Sequence, residues 1–92
     1  MSYKLFPGNR LFYLKATQGL PLSYSLSQLL PTHVITWADY IEEARANGEW
    51  DFQIIADIEV GLEDAGVLAK TDILEILARC KVYMLRYPLQ RI

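Results

Sequence analysis

The sequence predicts an α+β fold that is mainly α: about four helices in one compact domain over residues 1–92, preceded by a short N-terminal β-hairpin. Three observations carry that expectation. Apolar residues recur at helical spacing in four separate stretches, prolines and glycines fall at the ends of those stretches, and an aromatic-rich N-terminal segment flanks a Pro-Gly-Asn triplet. A 92-residue chain with 52% hydrophobic and 22% charged residues has room for one core and the composition of a folded domain.

Taking the elements in order, Lys4-Leu5-Phe6 and Arg10 to Leu14 flank Pro7-Gly8-Asn9, residues that favour a turn, so a hairpin is the first expectation. Leu11-Phe12-Tyr13-Leu14 does not alternate, which implies a strand covered on both faces. After a loop over Thr17 to Pro21, Leu22, Leu26, Leu29 and Leu30 share one face of a first helix that Pro31 ends. Thr36 reads as the N-cap of a second helix, with Asp39 near the positive end of its dipole, a stripe of Trp37, Tyr40, Ile41 and Ala44, and a stop at Asn47-Gly48. Glu42, Glu43 and Arg45 lie outside that stripe.

The third helix runs from about Trp50 to Ala65, with Phe52, Ile55, Ile58 and Leu62 as its apolar repeat and Gly66 as its close. Gly61 in a helix interior costs about 1 kcal/mol against alanine, which marks it as a place where another helix crosses closely. Thr71 caps a fourth helix in which Leu74, Leu77, Ala78, Val82 and Leu85 share a face widened by Ile73, Ile76, Cys80 and Met84, before Pro88. The rival reading makes residues 81–87 a third strand, because Val82, Tyr83 and Tyr87 favour β-structure.

Charge is segmented. All eleven acids lie between Asp39 and Glu75, with three bases before them, two among them and four after, so the blocks carry +3, −9 and +4 although the whole chain carries −2. A field of that shape selects partners by charge. The single cysteine forms no internal disulfide, the start of the chain lacks a leader-like apolar stretch, and the uncharged run from Ala16 to Ala38 is too interrupted for a membrane span. A cytoplasmic location without membrane contact is the simplest expectation.

No constellation for chemistry stands out. His33, the one histidine, has no nucleophile beside it in sequence and reads as a loop histidine. Cys80 sits on an apolar helical face and reads as a small core residue, although Arg79 and Lys81 beside it would activate an exposed thiol. The adjacent acids diverge by about 100° on a helix, which makes a solvated face rather than a metal or acid–base pair, and no glycine-rich phosphate loop is present. No enzyme activity, cofactor or metal is expected.

The function read from the sequence is a non-catalytic protein-interaction module, an inhibitor or adaptor that docks an acidic helical face on a basic partner protein. Such a partner can itself bind nucleic acid, in the style of small phage-encoded inhibitors. Asp39, Glu42, Glu43, Glu59, Glu63 and Asp64 form the expected face, with Trp50 and Tyr83 as aromatic anchors. Two alternatives follow from other residues. A nucleic-acid-binding regulator would use the basic ends, where Tyr83 and Tyr87 mix with Arg79, Arg86 and Arg91, although direct nucleic-acid contact is disfavoured by so few bases beside so many acids. A self-assembling subunit, a homo-oligomer, would use the hairpin edge and the wide stripe of the last helix.

Overall fold

The computed structural model describes residues 3–90. Their order is β1 (Lys4–Pro7), α1 (Gly8–Ala16), α2 (Leu22–Leu29), β2 (His33–Thr36), α3 (Trp37–Ala46), α4 (Asp51–Ala65) and α5 (Lys70–Arg86). The architecture is mainly helical, with five helices rather than four and a sheet of two parallel strands rather than a hairpin. Lys4 aligns with His33 and Pro7 with Thr36. Parallel strands need a crossover between them, and α1 and α2 supply it.

The hairpin expectation fails at Pro7-Gly8-Asn9. Pro7 is extended, with φ −63° and ψ 126°, and α1 starts at the next residue, so the proline pre-sets a helix entry instead of a turn. The four consecutive apolar residues then fall on a helix, where Leu11 and Phe12 are buried and Tyr13 is exposed. Gly8 is where α1 meets α3: a Cβ there would lie 2.2 Å from the Thr36 carbonyl oxygen and 2.5 Å from the Tyr40 nitrogen. Only glycine lets the two backbones come this close.

Thr36 occupies the N-cap position of α3, but its hydroxyl makes no capping bond to that helix. Its hydroxyl accepts from the Gly8 amide at 2.9 Å and donates to Asp39 Oδ2 at 2.7 Å. One side chain thus satisfies an orphan donor in the first turn of α1 and holds a carboxylate at the start of α3. The expected cap at Thr71 is displaced, since α5 begins at Lys70 with Ala69 in the N-cap position. At the start of α4, the Gln53 side chain accepts from the Trp50 amide at 2.8 Å, the return half of a capping box.

The core is built by α1 against α3, α2 against α4 and α4 against α5. Leu11, Leu26, Ile41, Ile54, Ile58 and Leu62 are fully buried around Tyr40, each contributing about 1.5–3 kcal/mol. The close crossing expected at Gly61 is present: a Cβ there would fall 2.9 Å from Leu22 Cγ and Cδ2. Two helical faces are rotated from their expected positions. α4 buries Ile54, Ile58, Gly61 and Leu62 and turns Phe52 to water, and α5 buries Ile73, Leu77, Cys80 and Met84 and leaves Leu74, Ala78, Val82 and Leu85 outside. Residues 81–86 belong to α5, so no third strand forms there.

Arg45, expected on the solvent side of its helix, is buried. Its Nε and Nη2 donate to the two Asp51 carboxylate oxygens, both at 2.9 Å, and Nη1 donates to the Tyr87 carbonyl at 2.7 Å. A planar fork matches a carboxylate in two bonds, and the third bond ties α3 to the chain just beyond α5. Asp51, first among the causes, raises the Arg45 pKa further. Lys15 plays a parallel part between α1 and α4: Nζ lies 3.2 Å from Asp57, 3.7 Å from Glu49 and 5.2 Å from the centre of the Phe12 ring. Burial would lower its pKa, but Tyr40 and Asp57 outweigh that and the net shift is upward.

Candidate functional site

The acids of the expected face lie on two successive helices. Asp39, Glu42 and Glu43 stand on α3 and Glu59, Glu63 and Asp64 on α4. Six of the chain's eleven acids lie within ion-pair distance of a base: Glu42 and Asp51 with Arg45, Glu49 and Asp57 with Lys15, Glu63 with Lys70 and Glu75 with Arg79. Glu43, Glu59 and Asp64 enter no ion pair among the described residues. The exposed pairs, such as Lys70–Glu63 at 3.3 Å, contribute about 0–1 kcal/mol to stability. Each still cancels part of the field a partner would meet.

The two aromatic anchors have different surroundings. Tyr83 is half-buried and its hydroxyl donates to Glu42, so it joins α5 to α3. That bond, with burial, pushes the phenol pKa up to about 12. The Tyr83 and Tyr87 rings meet at 5.0 Å between centres, tilted by 43°, while Arg79 donates to Glu75 at 2.6 Å. Tyr83, Tyr87 and Arg79 at the aromatic and basic end thus make contacts within the chain, and Arg91 lies outside the described residues. Trp50, in contrast, is half-exposed at the head of α4.

Around Trp50 lies the apolar surface that the sequence did not reveal. Phe52 is 74% exposed and Leu85 81% exposed, and with Trp50, Met84, Pro88 and Leu89 they line one shallow depression where the start of α4 meets the end of α5. Ala56, Glu59 and Glu63 follow Phe52 at four, seven and eleven residues, the spacing of one helical face. The outward stripe of α4 thus runs from an apolar head to an acidic tail. Gly61 is the signal that fixes this orientation from sequence: a glycine at a close crossing belongs to the buried face, which puts Phe52 on the opposite one.

A second concavity, of about 560 Å³, separates α3 from α5. Ile35, Trp37, Ile41, Ile76 and Cys80 give it an apolar lining, with His33, Asp72, Glu75 and Arg79 at its margin. His33 lies on β2 rather than in a loop. Its Nδ1 is 2.8 Å from the Thr32 hydroxyl, and its ring meets Phe6 edge-on at 6.0 Å. Cys80 is buried, and burial pushes its thiol up to about 11, the direction opposite to an activated nucleophile. Trp37 meets Tyr40 edge-on at 5.6 Å and lines this groove, and Trp50 lines the other depression.

Among the described residues no cluster of three or more His, Cys, Asp or Glu side chains could hold a metal ion, and no helix is long and apolar enough to cross a membrane. No protein-family model, curated protein or solved structure matches the chain. The geometry itself is therefore the basis for a functional reading.

Proposed function

We propose that the chain is a non-catalytic protein-interaction module, an inhibitor or adaptor, whose docking surface is the depression around Trp50, Phe52 and Leu85 together with the carboxylates farther along α4. The observation that supports it is the exposure of Phe52 and Leu85 beside one another. Two large side chains in water at one spot contribute nothing to the fold, whereas aromatic and aliphatic anchors at the centre of a protein contact supply most of its affinity. Glu59 and Asp64 extend the surface with negative charge that the chain's own bases leave uncancelled among the described residues, which suits a partner with a basic surface. In this reading apolar contact supplies the affinity and charge supplies the choice of partner.

The test is cross-linked capture from cell extract with the wild-type chain, with a Phe52→Ser/Leu85→Ser double variant and with a Glu59→Gln/Asp64→Asn double variant. A partner that is basic, lost with the first variant and loosened by the second supports the proposal. Capture indifferent to the apolar replacements refutes it. Sedimentation settles the competing case of self-assembly: a dimer that the apolar replacements dissociate would assign the surface to a second copy of the chain.

A further inference from the structure

α5 carries two apolar stripes, and the fold covers one of them. Ile73, Leu77, Cys80 and Met84 are buried, while Leu74 and Val82 keep 51% and 58% of their surface in water and Leu85 keeps more. At about 100° per residue, Thr71, Leu74, Ala78, Val82 and Leu85 fall within an arc of about 80°, centred about 130° around the helix from the buried stripe. All five are exposed, over about 21 Å of helix. An apolar stripe of that length on a helix is the form of a helix–helix contact.

The outer stripe is symmetric about its middle residue. Leu74 and Val82 stand four residues to either side of Ala78, and Thr71 and Leu85 stand seven. An antiparallel copy of α5, laid on the stripe with a two-fold axis at Ala78, meets Leu74 with Val82 and Thr71 with Leu85, the reciprocal pairing of an isologous interface. Ala78 faces its own copy, where a small side chain lets the two axes approach. One border of the stripe has the same symmetry in charge: Asp72, Glu75, Arg79 and Arg86 follow there in the order −, −, +, + within an arc of about 60°. The two-fold sets this border against its counterpart, so Glu75 meets Arg79 near the axis and Asp72 meets Arg86 toward the ends. Within one copy Arg79 already bonds Glu75, whereas Asp72 and Arg86 enter no ion pair among the described residues. A parallel copy would set like charge on like, and a uniformly basic or acidic partner would match half of the border. On the other border Lys70 bonds Glu63, and the two Lys81 residues stand about 9 Å apart along the axis, near the screening length of physiological salt.

We infer that the chain forms a homodimer through the outer face of α5, two copies packed antiparallel about Ala78. Apolar contact along the stripe supplies the affinity, and the ordered charges set direction and register. One pair of helices of this length buries less than roughly 1,200 Å², the range of dissociable contacts, so monomer and dimer exchange with concentration. Leu74, Ala78 and Val82 do not line the Trp50–Phe52–Leu85 depression, so the dimer does not rest on that docking surface and either can fail alone.

Sedimentation velocity of the full chain from about 1 μM to about 1 mM should show monomer giving way to dimer. Leu74→Ser/Val82→Ser, at two exposed positions, should raise the dissociation constant about tenfold or more, whereas Phe52→Ser should leave it unchanged. Arg79→Glu should weaken the dimer about threefold to tenfold, and adding Glu75→Arg, which makes the pair complementary again, should restore it. Oxidative cross-linking in a Cys80→Ala background reads the register. Ala78→Cys, on the axis, should form a disulfide with its own copy. Leu74→Cys, about 12 Å from its copy along the helix, should link only when mixed with Val82→Cys. A chain that stays monomeric throughout, a dimer indifferent to Leu74→Ser/Val82→Ser, failure of Ala78→Cys to link, or self-linking of Leu74→Cys would overturn the inference. A dimer lost with Phe52→Ser would overturn it in favour of pairing through the depression.

Discussion

Removing the Arg45 guanidinium is the sharpest perturbation the structure offers. Breaking one side of a fully buried ion pair costs about 3–5 kcal/mol, because the partner is left charged and unsolvated. Here the Asp51 side chain keeps 34% of its surface in water, and the Tyr87 carbonyl lies on an exposed residue. Both regain hydration when Arg45 is lost, so the expected cost of Arg45→Ala falls to about 2–3 kcal/mol. For a domain of this size that lowers Tm by roughly 8–20 °C. Arg45→Met, which keeps the aliphatic stem, separates lost packing from lost bonding, and a double-mutant cycle with Asp51→Ala should return a coupling of about 1–2 kcal/mol. Thermal and urea denaturation followed by circular dichroism measure all three. Costs below about 0.5 kcal/mol, the range of ordinary surface changes, together with a coupling near zero, would refute the clamp. Because Arg45 and the Tyr83–Glu42 bond tie α3 to the end of α5, Arg45→Ala should also loosen the groove between them.

The two crowded glycines should behave differently in denaturation experiments. Gly8→Ala drives a methyl into backbone atoms of Thr36 and Tyr40 and should cost about 3 kcal/mol or more, whereas Gly61→Ala meets only the Leu22 side chain. The gain of about 1 kcal/mol in helix propensity offsets part of that, for a net cost of about 0–2 kcal/mol. Phe52→Ser/Leu85→Ser should change stability by less than about 1 kcal/mol, because neither side chain is in the core, and this stability measurement separates a lost contact from a lost fold. Cys80 supplies a pH dependence. Its folded pKa, near 11, is raised above the ordinary 9.0, so the fold binds the thiol proton more tightly than the unfolded chain. Its contribution is intact below pH 9 and is lost as pH rises toward 11. Cys80→Ala should remove that part of the alkaline decline, and a thiol reagent at neutral pH should label wild type only as fast as the chain opens.

Helical periodicity was legible wherever a stretch had one clear apolar face and a marked end. The segments of α2, α3 and α4, the close crossing at Gly61 and the αL terminus at Gly66 all follow from local pattern. α1 was not legible, because four apolar residues in a row fit a buried strand as well as a helix, and Pro-Gly suits a turn as well as a helix entry. β2 carries almost no local signal, since its partner strand is remote and parallel. The faces of α4 and α5 were misread for a shared reason: large apolar residues were assigned to the core by default, and Phe52, Leu74 and Leu85 are the exceptions. The converse default placed Arg45 in water. Of the candidate site, the concentration of acids was readable, but their pairing depends on contacts such as Lys15 to Asp57, 42 residues apart, which no spacing rule anticipates.

Thr36 closes the first turn of α1 from 28 residues downstream. On a ribosome, the segment that becomes β1 and α1 therefore emerges with neither its capping hydroxyl nor its neighbouring strand, and waits for both until β2 has been made. The contacts that complete β1 and the first turn of α1 can form only once β2 has been made.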